Sequence, residues 1–189
     1  SENEGVGLFN QELSAFLSLG GEINYNSPVK KLIFNNKEVK GIFVNNKAIK
    51  ADSIILASGG FEANKELRKT YLGDEWSKAK VRGTPHNTGD GLQMALEIGA
   101  MKNGLYDGCH ATPMDLYMKD YGGLDLEPKE RKNYRKICYF LGIMINSKGK
   151  RFLDEGKNFR NYTYAQYGRK VLEQPGHFAW QIFDSKVFD

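Results

Sequence analysis

Two glycine-rich bends are where this sequence could do chemistry. Ala57-Ser58-Gly59-Gly60 follows an apolar run. Lacking Cβ atoms, its glycines let backbone N–H groups approach a phosphate or a ring edge, although a plain strand-to-helix turn reads the same way. Asn87-Thr88-Gly89-Asp90-Gly91 is spelled as a capped helix N-terminus, which draws anionic or carbonyl groups or simply closes the helix. His110, in Cys-His-Ala-Thr-Pro-Met, reads alone as a polar loop histidine, and Arg160 as an ion-pairing or clamping cation. Arg151 with Asp154 and Glu155 reads as an ion-pair set holding a hairpin. The usual hydrolase, zinc-protease and phosphate-loop signatures are missing, as is GxGxxG. His86, His110 and His177 lie too far apart for metal-ligand spacing, so no metal is expected.

The elements that must position these residues alternate between helix and strand. Leu8, Leu13, Phe16 and Leu17 recur at helical spacing, and Gly20-Gly21 stops them. Residues 22–26 read as a short strand. Residues 29–34, 39–44 and 47–50 form a three-stranded meander with Asn-rich turns. The β-branched run 53–57 reads as a buried strand feeding the first bend. Helices follow at 64–71 and 92–98. Beyond residue 103 the chain turns aromatic, basic and irregular up to residue 139. A hairpin over 142–152, a helix over 162–172 and a strand over 179–183 complete it.

The chain has 189 residues and a net charge of +4, an excess too small and scattered for a nucleic-acid surface. Two cysteines, Cys109 and Cys138, form neither a disulfide framework nor a CxxC pair, which fits a reduced, cytoplasmic setting. No apolar stretch is long enough to span a bilayer; any membrane association would run through a partner.

Taken together, residues 55–61, Asn87-Thr-Gly-Asp-Gly-Leu92, His110, and Met144-Ile-Asn-Ser-Lys-Gly-Lys-Arg-Phe152 with Glu155 and Arg160 carry a specific order and spacing. That order resembles the flavoprotein family of fumarate reductase and succinate dehydrogenase over essentially the whole chain. Arg82-Gly-Thr-Pro, Arg160-Asn-Tyr-Thr-Tyr164 and Gln174-Pro-Gly176 resemble its tricarballylate dehydrogenase branch. The resemblance implies an α+β and α/β fold. Residues 1–102 would be the middle of an FAD-binding domain, and 103–189 the first part of an α+β capping domain. The chain would then be an internal piece of a longer protein, inactive by itself. FAD would meet Val29 near its adenine end, and the two bends at Ala57, Ser58, Gly59, Gly60 and Asn87, Thr88, Gly89, Asp90, Gly91.

The implied reaction interconverts C–C and C=C bonds beside carboxylates of a small polycarboxylate, tricarballylate to cis-aconitate in type, with an unidentified electron acceptor or donor. A fumarate reductase and a ketosteroid dehydrogenase are the alternatives within the family. A non-catalytic module that keeps the fold is the alternative outside it. His110 matches the family's substrate-carboxylate histidine and Arg160 its proton-transfer arginine, with Tyr162 as the fallback donor. Arginine is a poor acid, its pKa lying above about 12, and needs desolvation and a relay. Cys138 stands where fumarate reductases place a relay arginine, and Glu130, Arg131 and Arg135 fall in a different register.

Overall fold

The computed structural model describes residues 4–122 and 125–187. The chain divides into two compact units, Ser1–Ile55 and Leu56–Asp189.

In the first unit, helix α1 (Glu4–Ser18) ends at Gly20, whose φ of 84° suits a residue without Cβ. Strands β1 (Val29–Asn35), β2 (Glu38–Val44) and β3 (Lys47–Lys50) form the antiparallel meander in the order β1-β2-β3. Its two-residue turns, Asn36-Lys37 and Asn45-Asn46, all have positive φ, the twist that tight hairpins require. Two expected strands are absent. Residues 22–26 are irregular, bending at Asn26 with φ 52°. Residues 53–57 also form no strand, and Ile55 is 90% exposed. A strand exists only through its ladder partners, and among the described residues nothing pairs with either segment.

The second unit carries α2 (Lys65–Leu72), α3 (Asp90–Glu97), the one-turn α4 (Pro128–Arg131), β4 (Gly142–Asn146), α5 (Arg160–Leu172) and β5 (Ala179–Phe183). Its core is Tyr139, Met144 and Tyr167, with Tyr164 and Val171 packed against them. The Tyr139 hydroxyl lies 2.7 Å from Thr163 Oγ1, and the Tyr167 hydroxyl donates to the Asp154 carbonyl, which ties α5 to the turn leading into β4 and to the loop that holds Asp154. Backbone pairing spans residue 103 inside this unit, since Val81 bridges Tyr121.

The expected hairpin over 142–152 forms only its turn. Strand β4 pairs instead with β5, Gly142 opposite Phe183 through Asn146 opposite Ala179, and the return arm keeps one bridge, Ile145 to Arg151. The cause is Glu155. Its buried carboxylate takes the Met144 N–H at 2.6 Å and binds Arg151 through two guanidinium nitrogens. That occupies the edge a return strand would use. Burial raises the Glu155 pKa, but the Arg151 and Met144 donors outweigh it and hold the carboxyl below its ordinary value. A depressed carboxylate stabilises the fold above its unfolded pKa of about 4.3 and loses that contribution as pH falls through the lower folded value. Glu155→Gln is therefore expected to lose about 2 kcal/mol at neutral pH. The deficit should begin to narrow below about pH 4 in denaturation curves of parent and variant; a constant deficit down to about pH 3 would refute the carboxylate's role.

Candidate flavin and substrate site

Helix α2 fixes the two glycine bends against each other. Asn64 caps α2, accepting from Leu67 N–H at 3.1 Å, and its amide donates to the Thr88 carbonyl at 3.1 Å. Ala63 N–H donates to the Asn87 carbonyl at 2.9 Å. Gly59, with φ 78°, comes so near Asn87 that a Cβ would lie 2.9 Å from its side-chain oxygen. A Cβ on Gly91 would collide with the Ser58 hydroxyl. Ala57 is exposed, and Val29 opens β1 in the first unit.

The cap of α3 differs from its spelling. Gly89, in the left-handed conformation, is the cap residue and no side chain accepts from the first turn; Thr88 bonds the Asp90 carboxylate instead, at 3.0 Å. Neither do the N–H groups of Ser58, Gly59 and Gly60 find an acceptor among the described residues. A close pair of glycine bends with spare donors, beside a helix N-terminus without a side-chain cap, fits the phosphate and ring edges of a dinucleotide.

Beside the first bend the second unit holds a cavity of about 870 Å³, lined by Gly60, Arg82, His110, Arg135, Arg160 and Tyr164 among others. His110 and Arg160 therefore face one space although 50 residues separate them (160 − 110). His110 is set by its edge-on contact with Tyr164, ring centroids 5.1 Å apart. Ala111, next to it, donates to the Ala165 carbonyl of α5 at 2.9 Å. Arg68 braces the wall: its buried guanidinium donates to the carbonyls of Glu62, Trp76, Ser77 and Ala79. Cys109 lines the cavity as a thiol, since burial pushes its pKa up against the pull of Arg169 and Arg68.

Tyr162 is not among the lining residues. It is 70% exposed and packs against Phe159. Helix geometry explains this, because Arg160 and Tyr164 share a face at i, i+4 and Tyr162 lies about 200° round from Arg160. Tyr164, Arg82 and Arg135 also line the cavity, although the sequence motifs in which they stand give them no role in the site. The i+4 spacing from Arg160 marks Tyr164, but no local pattern marks the two arginines. Cys138 is exposed, and Arg135 reaches the cavity from the same stretch.

The model of the FAD binding domain family matches residues 4–188, nearly the whole chain. The chain belongs to the FAD-binding-domain family of flavoproteins. Its cofactor is FAD. It is 32% identical over 183 residues to a probable fumarate reductase of Shewanella frigidimarina, covering 89% of this chain and 27% of that protein. It is 30% identical over 144 residues to a 3-oxosteroid 1-dehydrogenase of Mycobacterium tuberculosis, covering 72% and 23%. Among solved structures, the open conformation of a flavocytochrome c3 fumarate reductase superposes on all of it with a TM-score of 0.73 at 29% identity, 31% of that chain being covered. The flavoprotein chain thus spans under a third of the length of these relatives. No helix among its described residues is long and apolar enough to cross a membrane.

Proposed function

We propose that the protein carrying this chain is an FAD-dependent oxidoreductase of the CH–CH group of a small polycarboxylate, the tricarballylate and cis-aconitate pair being the member of that class we favour. The observation that supports it is the meeting of His110 and Arg160 on one cavity whose wall includes Gly60 of the first glycine bend. When bound, FAD supplies the two-electron exchange with one substrate carbon.

The chain's own residues do the rest. The bends at Ser58–Gly60 and Asn87–Gly91 hold the cofactor, with Val29 near its adenine end. His110 donates to a substrate carboxylate and fixes its orientation. Arg160 exchanges a proton at the carbon next to the one that changes oxidation state, from its guanidinium nitrogens. On this reading residues 1–102 belong to the FAD domain and 103–189 to the capping domain. Electrons reach or leave the site through a partner, a reading supported by likeness to a protein named a flavocytochrome. Cysteine usage favours a cytoplasmic setting. The guanidinium groups on the cavity wall suit carboxylates better than the apolar rings of a steroid.

The test is the visible spectrum of the intact protein, followed by anaerobic addition of tricarballylate, succinate or a 3-oxosteroid, and of cis-aconitate or fumarate to the pre-reduced form. A yellow protein bleached by a polycarboxylate, or reoxidised by its unsaturated counterpart, is the expected result. Response to the steroid alone would overturn the substrate class, and a colourless protein would favour a non-catalytic module.

A further inference from the structure

We propose that Arg82 and Arg135 form a second carboxylate subsite in this cavity, one that selects tricarboxylates over dicarboxylates; the inference rests on the polycarboxylate reading above. Several cations of the second unit already have partners. Lys65 pairs with Asp120, Lys136 with Asp115, Arg151 with Glu155 and Lys170 with Glu173, while Arg68 is spent on backbone carbonyls. Arg82 and Arg135 have no carboxylate within pairing distance among the described residues, and both line the 870 Å³ cavity with His110 and Arg160. The acidic residue on this wall, Glu62, is engaged by the Asn87 amide at 2.5 Å. Glu62 pairs with neither arginine, so both keep donor forks that a planar carboxylate satisfies in pairs.

The backbone holds both arginines in place. Val81, beside Arg82, donates to the Asp120 carbonyl at 2.8 Å and accepts from Gly122 N–H at 2.7 Å. Gly122 makes that approach possible, because a Cβ there would strike the Arg82 carbonyl. Arg135 bridges Met114, and on either side Asp115 N–H donates to Tyr134 O at 2.8 Å and Lys136 N–H to Pro113 O at 3.0 Å. Arg135 is therefore anchored to the stretch that presents His110. A second cavity of about 490 Å³ shares Arg82, His110 and Thr112 with the first, which puts Arg82 where the two meet. A substrate whose first carboxylate is held by His110 and whose reacting carbons face Arg160 extends its further carboxylates toward this pair.

The experiment compares kcat/KM for tricarballylate and succinate, or for cis-aconitate and fumarate, in the intact flavoprotein and in Arg82→Gln, Arg135→Gln and the double variant. The tricarboxylate-to-dicarboxylate ratio is expected to fall about tenfold in each single variant and about 100-fold in the double. Arg82→Lys and Arg135→Lys should keep part of the preference, and they decide the matter if the Gln variants fail to hold flavin. An unchanged ratio in flavin-loaded variants overturns the subsite while leaving the polycarboxylate reading intact. So does a parent enzyme with no preference for three carboxylates. A parent that handles no carboxylate at all overturns both.

Discussion

Arg160→Gln in the intact flavoprotein is expected to slow turnover about 10³-fold while flavin stays bound, the scale of losing a positioned proton donor. Arg160 sits at the first position of α5, with no acidic residue in that turn and no side-chain cap before it. A cation there opposes the helix dipole, which favours anions at this end. Among the described residues its one hydrogen-bonded side-chain partner is the Asn161 amide oxygen, at 3.4 Å. Position and company are unfavourable for stability, and they leave the guanidinium open to the cavity. Lysine keeps the charge but places it on a flexible stem without the planar fork, so Arg160→Lys should also slow turnover steeply. His110→Ala should behave differently, raising KM about tenfold with a smaller effect on kcat, because it removes an orienting contact and leaves the proton route in place. Single-turnover flavin reduction at saturating substrate separates the two. A rate within about fivefold of the parent in Arg160→Gln would refute the proton role.

Local chemistry explains which parts of this molecule could be read from its residues. The Asn36-Lys37 and Asn45-Asn46 turns adopt left-handed backbone that asparagine tolerates, so the meander was legible. Asn64 announced α2, and the aromatic and β-branched alternation of 179–183 announced β5. The failures share a cause. Residues 53–57 have the composition of a central strand, but composition does not supply a partner. The edge of β4 was assigned to its near neighbour in sequence, whereas the Glu155 carboxylate takes the Met144 N–H and β5 supplies the ladder from 33 residues away (179 − 146). The site divides along the same line. His110 and Arg160, which line one cavity, are singled out by the order of motifs around them. Arg82 and Arg135 are not, since an arginine's availability depends on which carboxylates the fold brings near it. Tyr162, the fallback donor by resemblance, points elsewhere because α5 starts at Arg160, two residues before the helix that composition suggests, and so carries Arg160 and Tyr164 on one face.

Gly168→Ala tests the joint between these parts, and two physical rules give opposite answers for it. Helix propensity alone says alanine should stabilise the middle of α5 by about 1 kcal/mol. The packing says otherwise. A Cβ at position 168 would lie 2.6 Å from both Ala111 O and Thr112 N. These are backbone atoms, which cannot swing aside as a flexible side chain would. Gly168 N–H donates to Ala111 O at 3.0 Å and Ala111 N–H to Ala165 O at 2.9 Å, so the methyl would force apart a doubly bonded contact. The expected outcome is a net loss of about 3 kcal/mol, overpacking plus strained hydrogen bonds exceeding the propensity gain. The loss should also reach the chemistry. Ala111 follows His110 directly, and α5 carries Arg160 and Tyr164, so this contact sets the distance between imidazole and guanidinium. A displacement of about 1 Å there should lower kcat/KM about 100-fold. Denaturation and steady-state kinetics on the same preparation decide the question: a more stable variant with unaltered kcat/KM would show that helix propensity governs the position and that the close approach sets nothing in the site.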